Sequence, residues 1–553
     1  MGTLASRSAI VLALLFGLVF AVGTGVAYYY NLSLTYAIGF AVVIVLLQYL
    51  AGPWLIDYLF KIRWVSPEEL GPDFADWFRQ TCATRRIRVP RLGVIDDGNP
   101  NAFTYGHTPG DARVVVTAGL LEMLEREETE AVVAHELGHV KNYDFIVMTV
   151  AQLAPLILYI IFRWSRHRVR GNHEGAVAFG VAIGAYVAYI VSQYVVLFLS
   201  RVREYFADEA SALTTRQPDK LSSALIKIAY GLAMRPPITE PMVEFDEKGK
   251  KKKVKAPIFD PGRATAALGI CNAAAASGFA MTAADADGKF SPTLMAEAMQ
   301  WDLKNPWGTW YELNSTHPLT ARRVLAMNRI ARKLGLPVEQ SLEPKSVHRV
   351  YSGNFPVEVA VFVLPLIGAL LGLLASYVLG GNHGMLEPYG YAMIGAGLGW
   401  LMKTVCCYPG ISEKCRDVRS LVSEELNVSA VNPVPCYIEG TIIGRGVPGL
   451  FFSKDLVLHD GTGFLTLLYR QPFGFLEFLF GWLKAGEYTN RKARAYGWFR
   501  RAPVPYFEIQ RVEMLDGPSG GVQCYAVYGF YFMAALLALG GIVMVWQSAA
   551  LGF

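Results

Sequence analysis

Long apolar blocks, not alternating patterns, dominate the hydrophobic and polar positions of this chain. Seven of them, at 8–30, 34–56, 145–162, 175–199, 357–379, 389–405 and 528–546, approach the roughly 20 apolar residues that cross a bilayer as a helix. They predict a multi-pass α-helical membrane protein. The first block is too long for the apolar core of a cleaved signal peptide and runs through a short uncharged loop into the second, so it is expected to stay attached.

Polar stretches lie between the blocks. Short runs at 88–96, 101–106 and 112–117, divided by Gly, Pro and Asn, read as three strands of a small antiparallel sheet, and helices are expected over about 119–125 and 128–143. Beyond the hydrophobic hairpin at 145–200 the chain returns with helical spacing to about residue 333, interrupted by a basic run at 250–253 that reads as a solvated loop. From 409 to 523 the pattern turns to strands. Five candidates, at 436–443, 455–459, 464–470, 493–500 and 506–512, with a long third connection, predict a small OB-like β-barrel. That connection holds the apolar stretch 473–483, too short to cross a bilayer and expected to lie in its interface. The predicted domains are 1–56, two transmembrane helices; 57–356, a soluble domain interrupted by the hairpin; 357–405, two transmembrane helices; 406–524, the barrel; and 525–553, a last transmembrane helix.

Composition sharpens this picture: 53% of residues are hydrophobic and 18% charged. The formal net charge of +5 gives no reason to expect a nucleic-acid partner. Seven cysteines at irregular positions, with no C-x-x-C, fit reduced thiols rather than a disulfide framework. Lys61, Arg63, Arg201, Arg203, Lys403 and Arg416 flank the spans on the side of the soluble segments, which puts those segments in the cytoplasm by the positive-inside rule. Arg163, Arg166, Arg168 and Arg170, at the hairpin tip, disagree: either the tip is held in a protein-lined cavity or earlier spans overrule it.

The chemistry begins at HELGH, residues 135–139. On a helix His135 and His139 fall one turn apart on one face, and Glu136 is offset enough to reach water on a metal without ligating it. A catalytic zinc takes three protein ligands and keeps one position open. Phe145 stands where a metzincin would carry its third His, so the third ligand comes from elsewhere. Glu204, in RVREYFADEA, has that capacity, with Asp208 one turn on to accept a hydrogen bond from a ligand imidazole. Acidic residues this close to a span are costly unless they serve a purpose.

HELGH followed by Asp144, SRVREYFADEASA at 200–212, NAF at 101–103 and STHPLTARRV at 315–324 resemble the membrane-embedded zinc metalloproteases that include the HtpX heat-shock proteases and the CAAX prenyl proteases. The likeness covers about residues 1–335. It implies a zincin-type α+β catalytic domain of the gluzincin kind, one Zn2+ per chain on His135, His139 and Glu204, Glu136 as general base, and Asp208 behind the ligands. It further implies that Asn101 helps hold the substrate backbone, and that His317 and Arg323 steady the oxyanion or the site around it. The tail of about 200 residues departs from the compact members, and nothing in it resembles the helical cage of the CAAX enzymes.

The expected activity is therefore endopeptidase cleavage of protein or peptide substrates at the membrane, in quality control or processing. The strand at 112–117, read as an edge and carrying Ala112, Val114 and Val116, is expected to pair with extended substrate. Two rivals are a non-catalytic membrane scaffold and a processing peptidase with one dedicated substrate; the intact Glu136 favours an enzyme. Oligomeric state is unknown from sequence. Gly444, Gly446 and Gly449 fit G-x-G-x-x-G but precede a strand, so they read as a turn. Basic residues interleaved with aromatics at 491–501 read as a membrane-adjacent face rather than a nucleic-acid site.

Overall fold

The computed structural model describes residues 34–98, 100–167, 172–234, 244–245, 251–252, 292–338, 354–379, 387–445, 454–502, 505–516 and 520–551, with the single positions Leu14, Leu15 and Leu18. Most of the expected first span, half of the basic run and most of the glycine loop at 444–449 fall outside these residues. The described chain forms two compact units, one drawn mainly from 34–232 and 310–338, the other mainly from 292–309 and 354–551.

In the first unit α1 (Leu34–Phe60) leads to β1 (Arg63–Val65), α2 (Pro72–Arg85), β2 (Arg91–Ile95), β3 (Ala102–Tyr105) and β4 (Arg113–Thr117). Then come α3 (Ala118–Met123), α4 (Arg126–Lys141), α5 (Asp144–His167), α6 (Asn172–Thr215) and α7 (Pro218–Met234). After α8 (Pro292–Lys304) and α9 (Pro306–Leu313), α10 (Thr320–Lys333) completes the unit. Local chemistry sets the boundaries: the Thr117 hydroxyl accepts from Leu120 N and stops the strand at a helix. Glu125 and Glu128 form a capping box that starts α4.

The sheet corrects the sequence reading in two ways. Its order is β1-β2-β4-β3 with β2 and β4 parallel, so it is mixed rather than antiparallel. Strand β4 lies inside it, not at an edge, and Ala112, Val114 and Val116 are buried in the core at 2%, 0% and 0% exposure. The Val114–Val115–Val116 run, apolar toward both faces, is the mark of a strand covered on both sides. The strands with an unpaired side are β1 and β3. One face of the sheet packs on α2 and α4 through Phe78, Leu120, Val132 and Leu137; the other meets the end of α1 through Phe60, Phe103 and Val115.

Helices α5 and α6 form the hydrophobic hairpin, packed through Ala154, Leu158, Ala185 and Leu199. At 44 residues α6 is about 66 Å long, twice the roughly 30 Å hydrocarbon core of a bilayer, so one end must project beyond it. Among the described residues three helices are long and apolar enough to cross a membrane, at Asp144–Arg163, Phe179–Thr215 and Ala526–Ala550. A fourth candidate is the pair Phe355–Phe362 and Leu364–Val378, bent by 66°.

The second unit adds α11 (Phe355–Phe362), α12 (Leu364–Leu379), α13 (Glu387–Cys407), α14 (Val418–Ser423), α15 (Gly474–Leu483) and α16 (Ala526–Leu551). Helices α12 and α13 touch backbone to backbone where Gly368 meets Gly395, since a Cβ on either would fall about 2 Å from the other's carbonyl oxygen. The expected five-stranded barrel is present: β5 (Val434–Arg445), β6 (Leu456–His459), β7 (Phe464–Leu468), β8 (Arg491–Arg501) and β9 (Pro505–Met514). It closes through a parallel pairing of β7 with β9 and an antiparallel one of β8 with β9. A short β10 (Gly521–Gln523) extends β9. Arg500 and Arg501, at the end of β8, are buried: Arg500 donates to the Ala430 and Cys407 carbonyls and pairs with Glu508 at 2.8 Å, and Arg501 donates to the Ala298 carbonyl near Asp302.

Candidate metal centre

The site forms where α4 crosses α6, and Gly138 decides how closely they cross. A Cβ there would lie 3.1 Å from Ala207 Cα and 3.2 Å from Ala210 Cβ, tighter than side chains normally pack. The glycine of HELGH thus brings both histidines against the helix that carries Glu204.

His135 and His139 stand edge to face, with their Nε2 atoms 3.1 Å apart. Glu204 Oε2 lies 3.6 Å from His135 Nε2, and Glu204 Oε1 lies 3.5 Å from His139 Nε2. The three donor groups fall within 4.8 Å of one another. Each imidazole is held from behind by a carboxylate, His135 Nδ1 at 2.9 Å from Asp208 Oδ1 and His139 Nδ1 at 2.5 Å from Asp144 Oδ2. An ionised carboxylate only accepts, so these neighbours assign the imidazole protons to Nδ1 and leave both Nε2 atoms as acceptors.

Two guanidiniums brace the carboxylates. Arg323, 1% exposed, holds Asp208 through Nε at 2.9 Å and Nη2 at 2.6 Å, and its Nη1 is 3.5 Å from Glu204. Arg203 pairs with Asp144 and donates to the Asn142 carbonyl. Arg201 donates to the Glu312 and Ser315 carbonyls and so fixes the segment leading to His317. His317 Nδ1 then lies 3.3 Å from Glu204 Oε2.

Whether this arrangement suits a metal can be judged from its charges. Four buried carboxylates, Glu136, Asp144, Glu204 and Asp208, accompany two buried guanidiniums, Arg203 and Arg323, leaving the cluster two positive charges short. Glu136, 2% exposed, has no hydrogen bond or ion pair to another described residue, and Glu204 Oε2 has no hydrogen bond of ordinary geometry. Two imidazole lone pairs and a carboxylate converge on one point, an arrangement that a bound cation would relieve. The residues fit a divalent metal with nitrogen and oxygen ligands.

The structure brings His135, His139, Glu204, Asp208, His317 and Arg323 together as the motifs suggest. Arg323 acts from behind, through Asp208, rather than on the open side; of the two roles expected for it, steadying the surroundings is the one its contacts support. Asn101 stands at the head of β3, its backbone N–H donating to the Thr117 hydroxyl and its Oδ1 accepting from Ala102 N. Val114 and Val116 are core residues of the interior strand β4 and Ala112 is buried just before it, so none of the three forms a substrate edge. Sequence reasoning missed Gly138, Arg203 and the part played by Asp144, although Asp144 follows HELGH closely and Arg203 adjoins Glu204.

The model of peptidase family M48 matches residues 80–331. A protease HtpX homologue from Methanothermobacter thermautotrophicus is 40% identical over 223 residues, 40% of this chain and 83% of the relative. Another, from Aeropyrum pernix, is 30% identical over 326 residues, 57% of this chain and 89% of the relative. Among solved structures, S. mikatae Ste24p aligns with a TM-score of 0.29 at 16% identity, over 41% of this chain and 60% of that one; so slight a likeness carries no argument.

Proposed function

Since this chain belongs to peptidase family M48, together with the HtpX proteases it matches, we propose that it is an integral membrane zinc endopeptidase acting on unfolded or membrane-inserted proteins in quality control or processing. The observation that carries the proposal is the convergence of His135, His139 and Glu204 in a buried cluster short of two positive charges. Those three residues would hold one zinc. When bound, zinc polarises the scissile carbonyl and makes water a better nucleophile at neutral pH.

The remaining steps belong to side chains. Glu136 accepts a proton from the attacking water on its carboxylate and returns it to the leaving amine. Asp208 and Asp144 keep both imidazoles presenting Nε2, while Arg323 and Arg203 hold those carboxylates in place. His317, beside Glu204 and partly open, is placed to donate to the developing oxyanion. Extended substrate pairs with the unpaired side of β3, headed by Asn101, which takes over the role expected of the 112–117 strand.

The basic residues flanking the spans support a cytoplasmic site and barrel. The segment scheme of 1–56, 57–356, 357–405, 406–524 and 525–553 remains the working domain division. The test is zinc content and casein cleavage of the detergent-purified chain beside Glu136→Gln, each with and without chelator. Both proteins should hold about one zinc, with cleavage only by the unmodified chain and only without chelator. Zinc in both and cleavage in neither would favour a scaffold.

A further inference from the structure

A cavity of about 630 Å³ lies between α1, α5 and α6, in the size range of specific binding sites. Its walls lead to the metal centre. On α6 it is lined by Tyr189, Gln193, Leu197 and Ser200, and continuing that stripe by one turn reaches Glu204. On α5 the lining runs through Phe145, Thr149, Gln152 and Tyr159, starting directly after Asp144, which holds His139. Thr316, next to His317, and Tyr105, at the end of the edge strand β3, line it as well. The β3 end is moored to the α1 wall: the Tyr105 hydroxyl donates to Asp57, and the Tyr49 hydroxyl donates to the His107 carbonyl.

The lining is unexpectedly rich in hydrogen-bonding groups for a hairpin of this hydropathy. Gln152 and Gln193 lie within the two apolar stretches able to span a membrane, and neither has a hydrogen-bond partner among the described residues. Each amide offers two donors and a carbonyl. Pro53 and Pro155 also line the cavity, and each removes the N–H that would bond the carbonyl four residues earlier, at Tyr49 and Ala151. Polar groups inside a span are costly unless they face a partner or a pathway. An ordered helix offers them nothing, because its backbone is already paired. Unwound backbone offers free N–H and C=O groups that match both amides.

We infer that this cavity receives a locally unwound segment of a membrane-inserted polypeptide, whose free backbone groups bond Gln152 and Gln193. The inference rests on the protease reading and names its substrate class. Gln152 lies eight residues from Asp144 and Gln193 eleven from Glu204, about 12 and 16 Å along their helices. At about 3.3 Å per extended residue, recognition falls roughly four to five residues from the scissile bond.

The experiment uses the full chain carrying Glu136→Gln in phosphatidylcholine–phosphatidylglycerol vesicles, with a single-span reporter bearing a photo-crosslinking residue in a Gly-Pro-interrupted stretch. A matched reporter has an uninterrupted leucine span. Crosslinking to the Gln152→Leu/Gln193→Leu form of this chain should fall at least about five-fold, with zinc content unchanged, and the leucine reporter should crosslink weakly to either. Equal capture of the interrupted reporter with and without the glutamines, or equal capture of both reporters, overturns the inference and leaves a cavity for lipid or water. Because capture is read without turnover, the casein assay of the Glu136-intact chain judges the protease reading separately.

Discussion

Arg323 in the first unit and Arg501 in the second are both 1% exposed, yet they are buried to different ends. Around the barrel, Arg500 and Arg501 meet Glu508 and Asp302, two cations and two carboxylates, and the guanidiniums also donate to backbone carbonyls. Arg501 lies over the Trp301 ring as well, at 4.7 Å. Each of these carboxylates has a cation within 3.4 Å. Around HELGH, two guanidiniums serve four carboxylates, and the unsatisfied atoms converge. Burying charge can thus hold a fold together or hold a vacancy of charge ready for a ligand, and the balance of charges tells the two apart.

Breaking each network should have a different signature. The largest effect is expected from Glu204→Leu, which should abolish zinc retention and proteolysis, read by metal analysis and casein cleavage; full retention of metal would erase the contrast. Arg501→Leu should destabilise the barrel by about 3–5 kcal/mol, since it leaves Asp302 buried without its cation. Hydrogen exchange of the barrel strands should report that loss while zinc content stays the same. Asp144→Asn keeps the shape but loses the charge behind His139, and should weaken zinc binding about 10–100-fold in a chelator competition, leaving barrel exchange unmoved.

The smallest effect sharpens the comparison from the other side. Burial pushes the Asp455 carboxyl, in the barrel, up to about 6 from its ordinary 3.8, although it accepts a hydrogen bond from Tyr469 N at 3.0 Å. Because the folded state holds this proton more tightly than the unfolded state, the contribution of Asp455 to stability is full below about pH 4 and is lost as pH rises through 6. Barrel melting should therefore drop between pH 4 and 6.5, and Asp455→Asn should flatten that part of the profile. An unchanged slope in the variant would assign the pH dependence to other groups.

Much of this was legible in the residues. HELGH and the Glu204–Asp208 turn carry their spacing in the sequence, and short polar-apolar alternations marked all five barrel strands. Three-residue β1 was too short to show a period, and the interior place of β4 depends on a parallel pairing with β2 that no local pattern encodes. The bracing by Arg203 and Arg323 was hidden for a related reason. Their partners stand 59 and 115 residues away along the chain, and a basic residue beside a span already has an ordinary explanation in membrane topology.

The residues of the candidate metal centre straddle the α5–α6 hairpin: both histidines precede it and Glu204 follows it. A ribosome therefore releases HELGH long before the third donor exists, and the set closes only when the hairpin has folded back on itself. Folding of the hairpin and completion of the cluster become one event.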